Sequence, residues 1–482
     1  MPAFTAEMIA SLIPVTGLIL LAVVLLVFAL MRNERMNRTL DWLTAGGFVI
    51  ILIVAGLSGR PGNEPRLLWG EMLRFDRAGY LFSLLVLAGG ALTSIFAGTE
   101  KTVGNKPEFY LLLVLSSIGL SLMATAGNLI MLYLAIETAA IPLYILAGFK
   151  YHDNASVESG IKYFLFGAVS SAVMLYGFSL LYGFAGTTKI YGLFDAIQAH
   201  QTPTAAIVLA SILVLAGFTF KISAVPFHFW APDVYQGAPT PVAGFLSTVS
   251  KAVSFAALIR ILVNAFTVDQ SSIWMVVVAI ISIASMFIGN LLAIPQKNLK
   301  RMIAYSSIAQ AGYILVGVAS GSEFGFTGSV YYLVAYLVTN LAVFAIINWV
   351  EHESNSTEIN AFAGLNRRSP GLAFLLMIAL LSLGGIPPLA GFFAKVLVFG
   401  AAIQSGLVYL AILGVLNSVI ALYYYLRVMK VMYVDPPASE KKLLRPPLVW
   451  NVALVICILG IILLGVVYSP WFGYISLAAA GF

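Results

Sequence analysis

From Met8 to Val467 the chain passes through one apolar stretch after another, separated by short polar or proline-bearing segments. A helix needs about 20 mostly apolar residues to cross a bilayer, and most of these stretches have that length. Runs such as 18–31 are uniformly apolar, whereas the strands of a membrane β-barrel alternate apolar and polar positions. The pattern predicts 14 spans, at approximately 8–31, 39–57, 78–98, 108–126, 128–149, 160–185, 205–223, 241–264, 272–294, 301–319, 326–350, 371–400, 406–429 and 447–468. The predicted fold class is therefore an all-α polytopic membrane protein with about 14 transmembrane helices.

Composition sharpens this picture. The length of 482 residues would suit several soluble domains. Yet 61% of the residues are hydrophobic and only 10% charged, against roughly 25% charged in an average soluble protein. Glu7 precedes the first apolar run and no basic segment leads into it, so that run is expected to be a retained helix rather than a cleaved signal. The single cysteine, Cys457, cannot supply the roughly four thiolates of an iron–sulfur cluster. Four scattered histidines argue against a haem or a metal centre. No redox cofactor or metal is expected in this chain.

The formal charge of +6 is distributed by loop. One alternating set of loops holds Arg32, Arg35, Arg38, Lys101, Lys106, Lys150, Lys162, Lys297, Lys300, Arg301, Arg367, Arg368, Arg427, Lys430, Lys441, Lys442 and Arg445. The other holds Arg60, Arg66, Arg74, Arg77 and Lys189, with Arg260 at a helix end nearby. That is 17 basic residues against 6, a positive-inside bias that places both termini on the outer face.

The chain also repeats itself. Tyr144-Ile-Leu-Ala-Gly148 recurs as Tyr313-Ile-Leu-Val-Gly317, Tyr163-Phe-Leu as Tyr331-Tyr-Leu, and the break at Val225-Pro226 as Ile386-Pro387. The copies lie 169, 168 and 161 residues apart, so spans 4–8 match spans 9–13. An odd number of helices per copy inverts the second relative to the first, a transporter plan with an ion site near the midplane. The expected organisation is three N-terminal spans in 1–105, one repeat in 106–265, its inverted copy in 266–430, and a loop with the last span in 431–482.

Proline marks the two breaks. Pro226, Pro232, Pro239 and Pro241 interrupt the segment after Lys221, and Pro387-Pro388 interrupts span 12, because each proline removes a backbone donor. Irregular backbone at membrane depth is tolerated where protein or a wet cavity satisfies it; a polar surface loop is the alternative for 233–240.

Four ionisable residues fall inside spans: Glu137, Lys221, Lys251 and Lys395. A charge at the bilayer centre costs about 2.5–3.5 kcal/mol, so four without partners would cost roughly 10–14 kcal/mol. They must be paired, hydrated or neutralised. An opposite charge beside a buried amine favours its charged form, and removing that neighbour releases the proton. A Glu137–Lys221 pair would supply that coupling; a static bridge holding helices together is the alternative use of the same residues. His228, in the first break, is a candidate relay or helix cap. Ser306, Ser307 and Gln310 are candidates to line a hydrated path or to serve as packing contacts. Lys162 and Arg260 read as interfacial anchors, and Tyr423-Tyr-Tyr425 as part of an aromatic belt. No glycine-rich stretch has the strand–helix context of a nucleotide site. Energy for any pumping must come from partners or an ion gradient.

At these residues a resemblance emerges. Lys221-Ile-Ser-Ala-Val-Pro-Phe-His-Phe-Trp-Ala-Pro-Asp-Val-Tyr-Gln-Gly-Ala-Pro-Thr-Pro-Val242, followed by Ser250-Lys251, closely resembles the signature of the antiporter-like membrane subunits of respiratory complex I, the NADH:quinone oxidoreductase, and within them the subunit N branch. Further matching motifs run from Gln296 to Tyr313 and from Gly385 to Lys395, and the resemblance covers about 105–430. It implies a 14-helix fold with two inverted five-helix repeats, discontinuous helices 7 and 12, and proton translocation coupled to quinone reduction elsewhere in the complex. By motif, Glu137 resembles the family's fifth-helix glutamate that modulates Lys221, Lys251 its eighth-helix relay, and Lys395 its twelfth-helix lysine that passes the proton outward. NADH, flavin, iron–sulfur clusters and quinone are implied in partner subunits of an energy-transducing plasma membrane. A subunit of a sodium/proton antiporter, or of a related hydrogenase or photosynthetic complex, is the alternative; a purely structural subunit is the other. The segment Thr138-Ala-Ala-Ile-Pro142 is more apolar than the family pattern, which leaves the partner of Glu137 open.

Overall fold

The computed structural model describes residues 5–31, 39–100, 102–266, 268–437 and 443–482. The loop residues Arg32, Arg35, Arg38, Lys101, Lys441 and Lys442 used in the charge count lie outside the described residues.

Among the described residues, 13 helices are long and apolar enough to cross a bilayer: Ala6–Met31, Leu40–Ser58, Arg77–Ala97, Pro107–Ala124, Leu129–Ala147, Asn154–Ala185, Thr204–Lys221, Thr240–Ala265, Ile273–Ala293, Leu299–Ala319, Glu323–Ser354, Val408–Tyr433 and Leu448–Val466. Two shorter apolar helices, Pro370–Gly384 and Ala390–Gln404, occupy the stretch read as span 12. The proline break thus produces two separate helices there. The segment 233–240, for which a surface loop was the alternative, is a buried short helix, Trp230–Gly237, leading directly into Thr240–Ala265. Outside the spans lie a small hairpin pairing Arg66–Leu68 with Leu73–Phe75, a short helix Leu193–Ala199 and a final helix Tyr468–Ala479.

Three helices form the centre. Thr240–Ala265, Leu299–Ala319 and Glu323–Ser354 are buried on nearly every side, while Ala6–Met31 and Leu40–Ser58 bury only one face. A helix that is apolar all round sits in an interior, whereas a one-faced helix sits at a boundary. Small residues permit the tight packing: a Cβ at Gly119 would meet the backbone of Ala139 at 2.3 Å, and one at Gly289 the nitrogen of Ala309 at 2.6 Å. Thr240–Ala265 is interrupted by a π-helical turn, Leu246–Ser250, immediately before Lys251. Such turns often mark functional sites in helices.

Two helix starts are built alike. Asn128 caps Leu129–Ala147 by accepting from Met131 N at 2.7 Å, and Asn298 caps Leu299–Ala319 by accepting from Arg301 N at 3.1 Å. Beside them, Leu129 N donates to Thr188 O and Leu299 N to Thr357 O, both at 2.8 Å. Asn128 also bridges Lys189, and Asn298 bridges Glu358. Each capped helix is followed by a helix of 32 residues, Asn154–Ala185 and Glu323–Ser354. The paired positions lie 170, 169 and 169 residues apart.

Candidate functional site

The first break begins where Thr204–Lys221 ends. Ser223 has a positive φ of 57°, and the Val225–Pro226 peptide is cis. The backbone freed there is satisfied locally and by neighbours. Ala224 N donates to Thr219 O at 2.8 Å, Val225 N to Ser285 Oγ at 2.9 Å, and Trp230 Nε1 to Phe220 O at 3.0 Å. Trp230 stacks on Tyr163 with ring centroids 4.4 Å apart. The break is therefore rigid polar architecture, as irregular backbone in a membrane interior requires.

Lys221 lies in the last helical turn before this break, half-buried, with its Nζ 5.7 Å from the centre of the Tyr144 ring. Carbonyl oxygens left open at a helix C-terminus favour a cation. Glu137 is also half-buried, and its Oε1 accepts from Ser171 Oγ. The direct Glu137–Lys221 pair expected from the sequence is absent from the described ion pairs: the two groups stay within electrostatic reach of each other, but the carboxylate is held by Ser171 instead. That serine, on the neighbouring helix Asn154–Ala185, is the partner that the apolar segment after Glu137 left open.

Lys251 is fully buried at the centre, just past the π-helical turn. Its Nζ donates to Ser307 twice, to the main-chain oxygen at 2.9 Å and to Oγ at 2.5 Å. Lys395 is buried in the second helix of the other break. Its Nζ reaches back to the carbonyls of Leu383 and Gly384, at 3.2 and 3.0 Å, and lies 4.8 Å from the Tyr313 ring centre. Lys221 precedes its break and Lys395 follows its own, yet both ammonium groups sit with the C-terminal end of the helix preceding the break.

Lys251 and Lys395 are connected by polar groups on the helices between them. Ser306, next to Ser307, contacts Tyr425 Oη at 2.5 Å. Gln310 Nε2 lies 3.3 Å from the same hydroxyl and donates to Leu383 O at 3.2 Å, the oxygen that also receives Lys395. The Gln310 Oε1 accepts from Tyr332. Lys251 thus bonds Ser307, whose sequence neighbour Ser306 contacts Tyr425, and Gln310 joins Tyr425 to the Leu383 carbonyl that receives Lys395, so Ser306, Ser307 and Gln310 lie between the two lysines. A side branch leaves from Tyr313, whose hydroxyl accepts from Asn290, itself bonded to Asn417 and Tyr424.

His228 is not brought to this chain. It is buried in the first break with its ring against Phe229, 4.3 Å between centroids. Pro226, Pro387 and Pro388 lie at the breaks, and the Pro387–Pro388 peptide is cis.

Several residues were misread from sequence. Tyr424 and Tyr425 are fully buried, and only Tyr423 of that run faces outward. The available signal was helical: Asn417, Tyr424 and Tyr425 share one face at steps of seven and eight. Arg260 is no interfacial anchor. It is buried and paired to Asp76 at 2.6 Å, with Tyr191 Oη at 2.7 Å. Lys300, counted as a loop residue, is buried and donates to Ala238 O at 2.8 Å. Lys162 is partly exposed but pairs with Asp233 at 2.6 Å, as does Arg301.

Residues 126–421 match the model of the family described as NADH:quinone oxidoreductase/Mrp antiporter, TM. The chain belongs to this family. The matched region contains Glu137, Lys221, Lys251 and Lys395 and ends just short of Tyr424 and Tyr425. The NADH-quinone oxidoreductase subunit N of Moorella thermoacetica is 44% identical over 409 residues, covering 84% of this chain and 86% of that relative. A chain of the respiratory complex I from Thermus thermophilus with bound aureothin superposes with a TM-score of 0.81 at 31% identity, covering 97% of this chain and 99% of that one. A chain of the Mrp complex from Dietzia superposes with a TM-score of 0.83 at 21% identity, covering 99% and 98%; that likeness concerns the fold alone.

Proposed function

We propose that this chain is a proton-translocating, antiporter-like subunit of an NADH:quinone oxidoreductase of the complex I type. The observation that carries the reading is the buried polar chain from Lys251 to Lys395, set among helices that are otherwise apolar. Its side chains are alcohols, an amide, a phenol and two amines, groups that donate or accept hydrogen bonds and can orient water, and the Leu383 carbonyl is an acceptor shared by Gln310 and Lys395. The identity to a subunit N relative supports the complex I reading over cation exchange.

In this reading Lys221 exchanges its proton under the influence of Glu137, Lys251 carries it to the centre, and Lys395 passes it to the outer side. Ser171 donates to Glu137 in this conformation, and no Glu137–Lys221 ion pair is among the described ones. A movement that brings the carboxylate to the amine raises its hold on the proton, and the reverse movement loosens it. The chain itself contributes no redox chemistry. NADH, flavin, iron–sulfur clusters and quinone belong to partner subunits, which supply the driving force.

The two breaks form discontinuous helices 7 and 12 of a 14-helix plan. The matched caps at Asn128 and Asn298, with their matched 32-residue helices, support inverted repeats over 106–265 and 266–430. Three helices precede them in 1–105, and 431–482 holds the last span. The basic loops are the inner side, both termini lie outside, and the membrane is a plasma membrane or its equivalent.

The test is proton pumping by membrane vesicles carrying Lys221→Met, normalised to assembled complex and to quinone reductase rate. Reductase activity and pumping falling together with normal assembly is the expected outcome. Wild-type levels of both would return Lys221 to a structural role.

A further inference from the structure

A second set of buried charges lies apart from the lysine chain, at the end of the bundle where the basic loops gather. Lys150 Nζ pairs with Glu100 at 3.0 Å and lies 4.0 Å from Glu351 Oε1. The other oxygen of Glu351 accepts from Thr240 Oγ1. Lys300, fully enclosed, is also within electrostatic reach of Glu351 and donates to Ala238 O at 2.8 Å. Glu100, Glu351, Lys150 and Lys300 thus form one cluster of opposed charges, with Asp153 also acting on Lys300. On the Glu351 helix itself, His352 and Glu353 pair with each other at 3.1 Å.

Two features distinguish this cluster from a simple clamp. Lys150 lines, with His152, Asp153 and Glu108, an open cavity of about 860 Å³, so the cluster reaches this cavity through Lys150, 4.0 Å from Glu351. The other end reaches the two helices that make the Lys251–Ser307 contact. Thr240 opens the helix of Lys251, and Lys300 lies seven residues before Ser307 on its helix. Seven residues of helix span about 10 Å.

We infer that Glu351, held between Lys150 and Lys300, takes protons from water in this cavity and relays them towards Lys251. This rests on the proton-translocation reading above. The proton leaves a hydrated donor in the cavity and resides on the Glu351 carboxyl, which becomes neutral. The Lys150 and Lys300 ammonium groups, having lost that counter-charge, disfavour keeping the proton there, and it moves on when the next acceptor towards Lys251 is empty. Thr240 positions the carboxylate.

The experiment uses the assembled complex in vesicles, with Glu351→Gln, Glu351→Asp, Thr240→Val and, in parallel, Lys251→Met. Assembly, reductase turnover, pumping, and the turnover profile against pH on the cavity side are measured. Glu351→Gln is expected to lower turnover and pumping about a hundredfold or more, the lower end of what one proton-transfer group contributes, and to shift the pH profile. Glu351→Asp is expected to recover most of the loss, which a purely structural role would not require. Wild-type pumping and pH profile in Glu351→Gln, with Lys251→Met impaired, would overturn the relay while leaving the translocation reading intact. Wild-type behaviour of Lys251→Met would instead strike the underlying reading. If Glu351→Gln does not assemble, Thr240→Val decides: it leaves all charges in place, and a shifted pH profile supports the relay while an unchanged one overturns it.

Discussion

Lys395 and Gln310 share one acceptor, the main-chain oxygen of Leu383, each at 3.2 Å. The amide thereby links Lys395 to a hydroxyl, Tyr425, that also contacts Ser306. Loss of one hydrogen-bonding group costs about 1 kcal/mol in typical cases, and each 1.36 kcal/mol off a barrier is tenfold in rate. Tyr425→Phe removes the one hydroxyl common to Ser306 and Gln310, so pumping should fall about fivefold with normal assembly. Ser307→Ala should be milder, because Lys251 keeps the main-chain oxygen of Ser307 at 2.9 Å. Pumping rates of the two variants, at matched complex content, check the order; equal or reversed effects would contradict it.

Gly385 has a φ of +85°, and a Cβ there would meet Lys395 Cδ at 2.9 Å and Nζ at 3.2 Å. A non-glycine residue in the left-handed region costs roughly 1–2 kcal/mol before any contact is counted. Gly385→Ala should therefore lower the thermal midpoint of the complex and also displace Lys395 from the Leu383 and Gly384 carbonyls. The expected signature is reduced pumping even at temperatures where the complex remains assembled, read from thermal melts alongside vesicle assays.

Much of this site was legible in the sequence. The two proline breaks, the four intramembrane charges and the Ser306–Ser307–Gln310 face lie where residue type and position conflict with a lipid environment, and such conflicts are readable without coordinates. The partners were harder to read. Tyr425 sits at the end of an apolar span, where a tyrosine run matches an interfacial belt as well as a buried relay. Lys300 lies in the first turn of its helix, so a boundary shifted by two residues moved it from interior to loop. Arg260 looked like an anchor because its carboxylate, Asp76, is 184 residues away. Long-range pairing of this kind leaves no local pattern.

The Asp76 and Asp233 carboxylates each join two basic side chains, and their surroundings separate their roles. Asp76 is buried, pairs with Arg260 at 2.6 Å and Arg74 at 2.9 Å, and caps Arg77–Ala97 through Gly79 N at 2.7 Å. Breaking a buried pair costs about 3–5 kcal/mol because the remaining charge stays unpaired. Asp233 and its partners Lys162 and Arg301 are about one-third exposed, and exposed pairs contribute about 0–1 kcal/mol. Asp76→Asn should sharply reduce the amount of assembled complex on native gels, whereas Asp233→Asn should leave it near wild type. Arg260→Leu combined with Asp76→Leu should recover part of the loss, since no buried charge is then left alone in that pair.

The central claim is that protons cross the interior through the buried chain that ends at Lys395. Its most direct test is NADH-driven proton pumping by vesicles containing assembled complex with Lys395→Met, with reductase turnover measured in the same vesicles. The account predicts normal assembly and a joint fall of pumping and turnover of about a hundredfold or more, as expected when a proton-transfer group is lost. Pumping and turnover at wild-type levels would show that protons do not pass through Lys395, and would contradict the account.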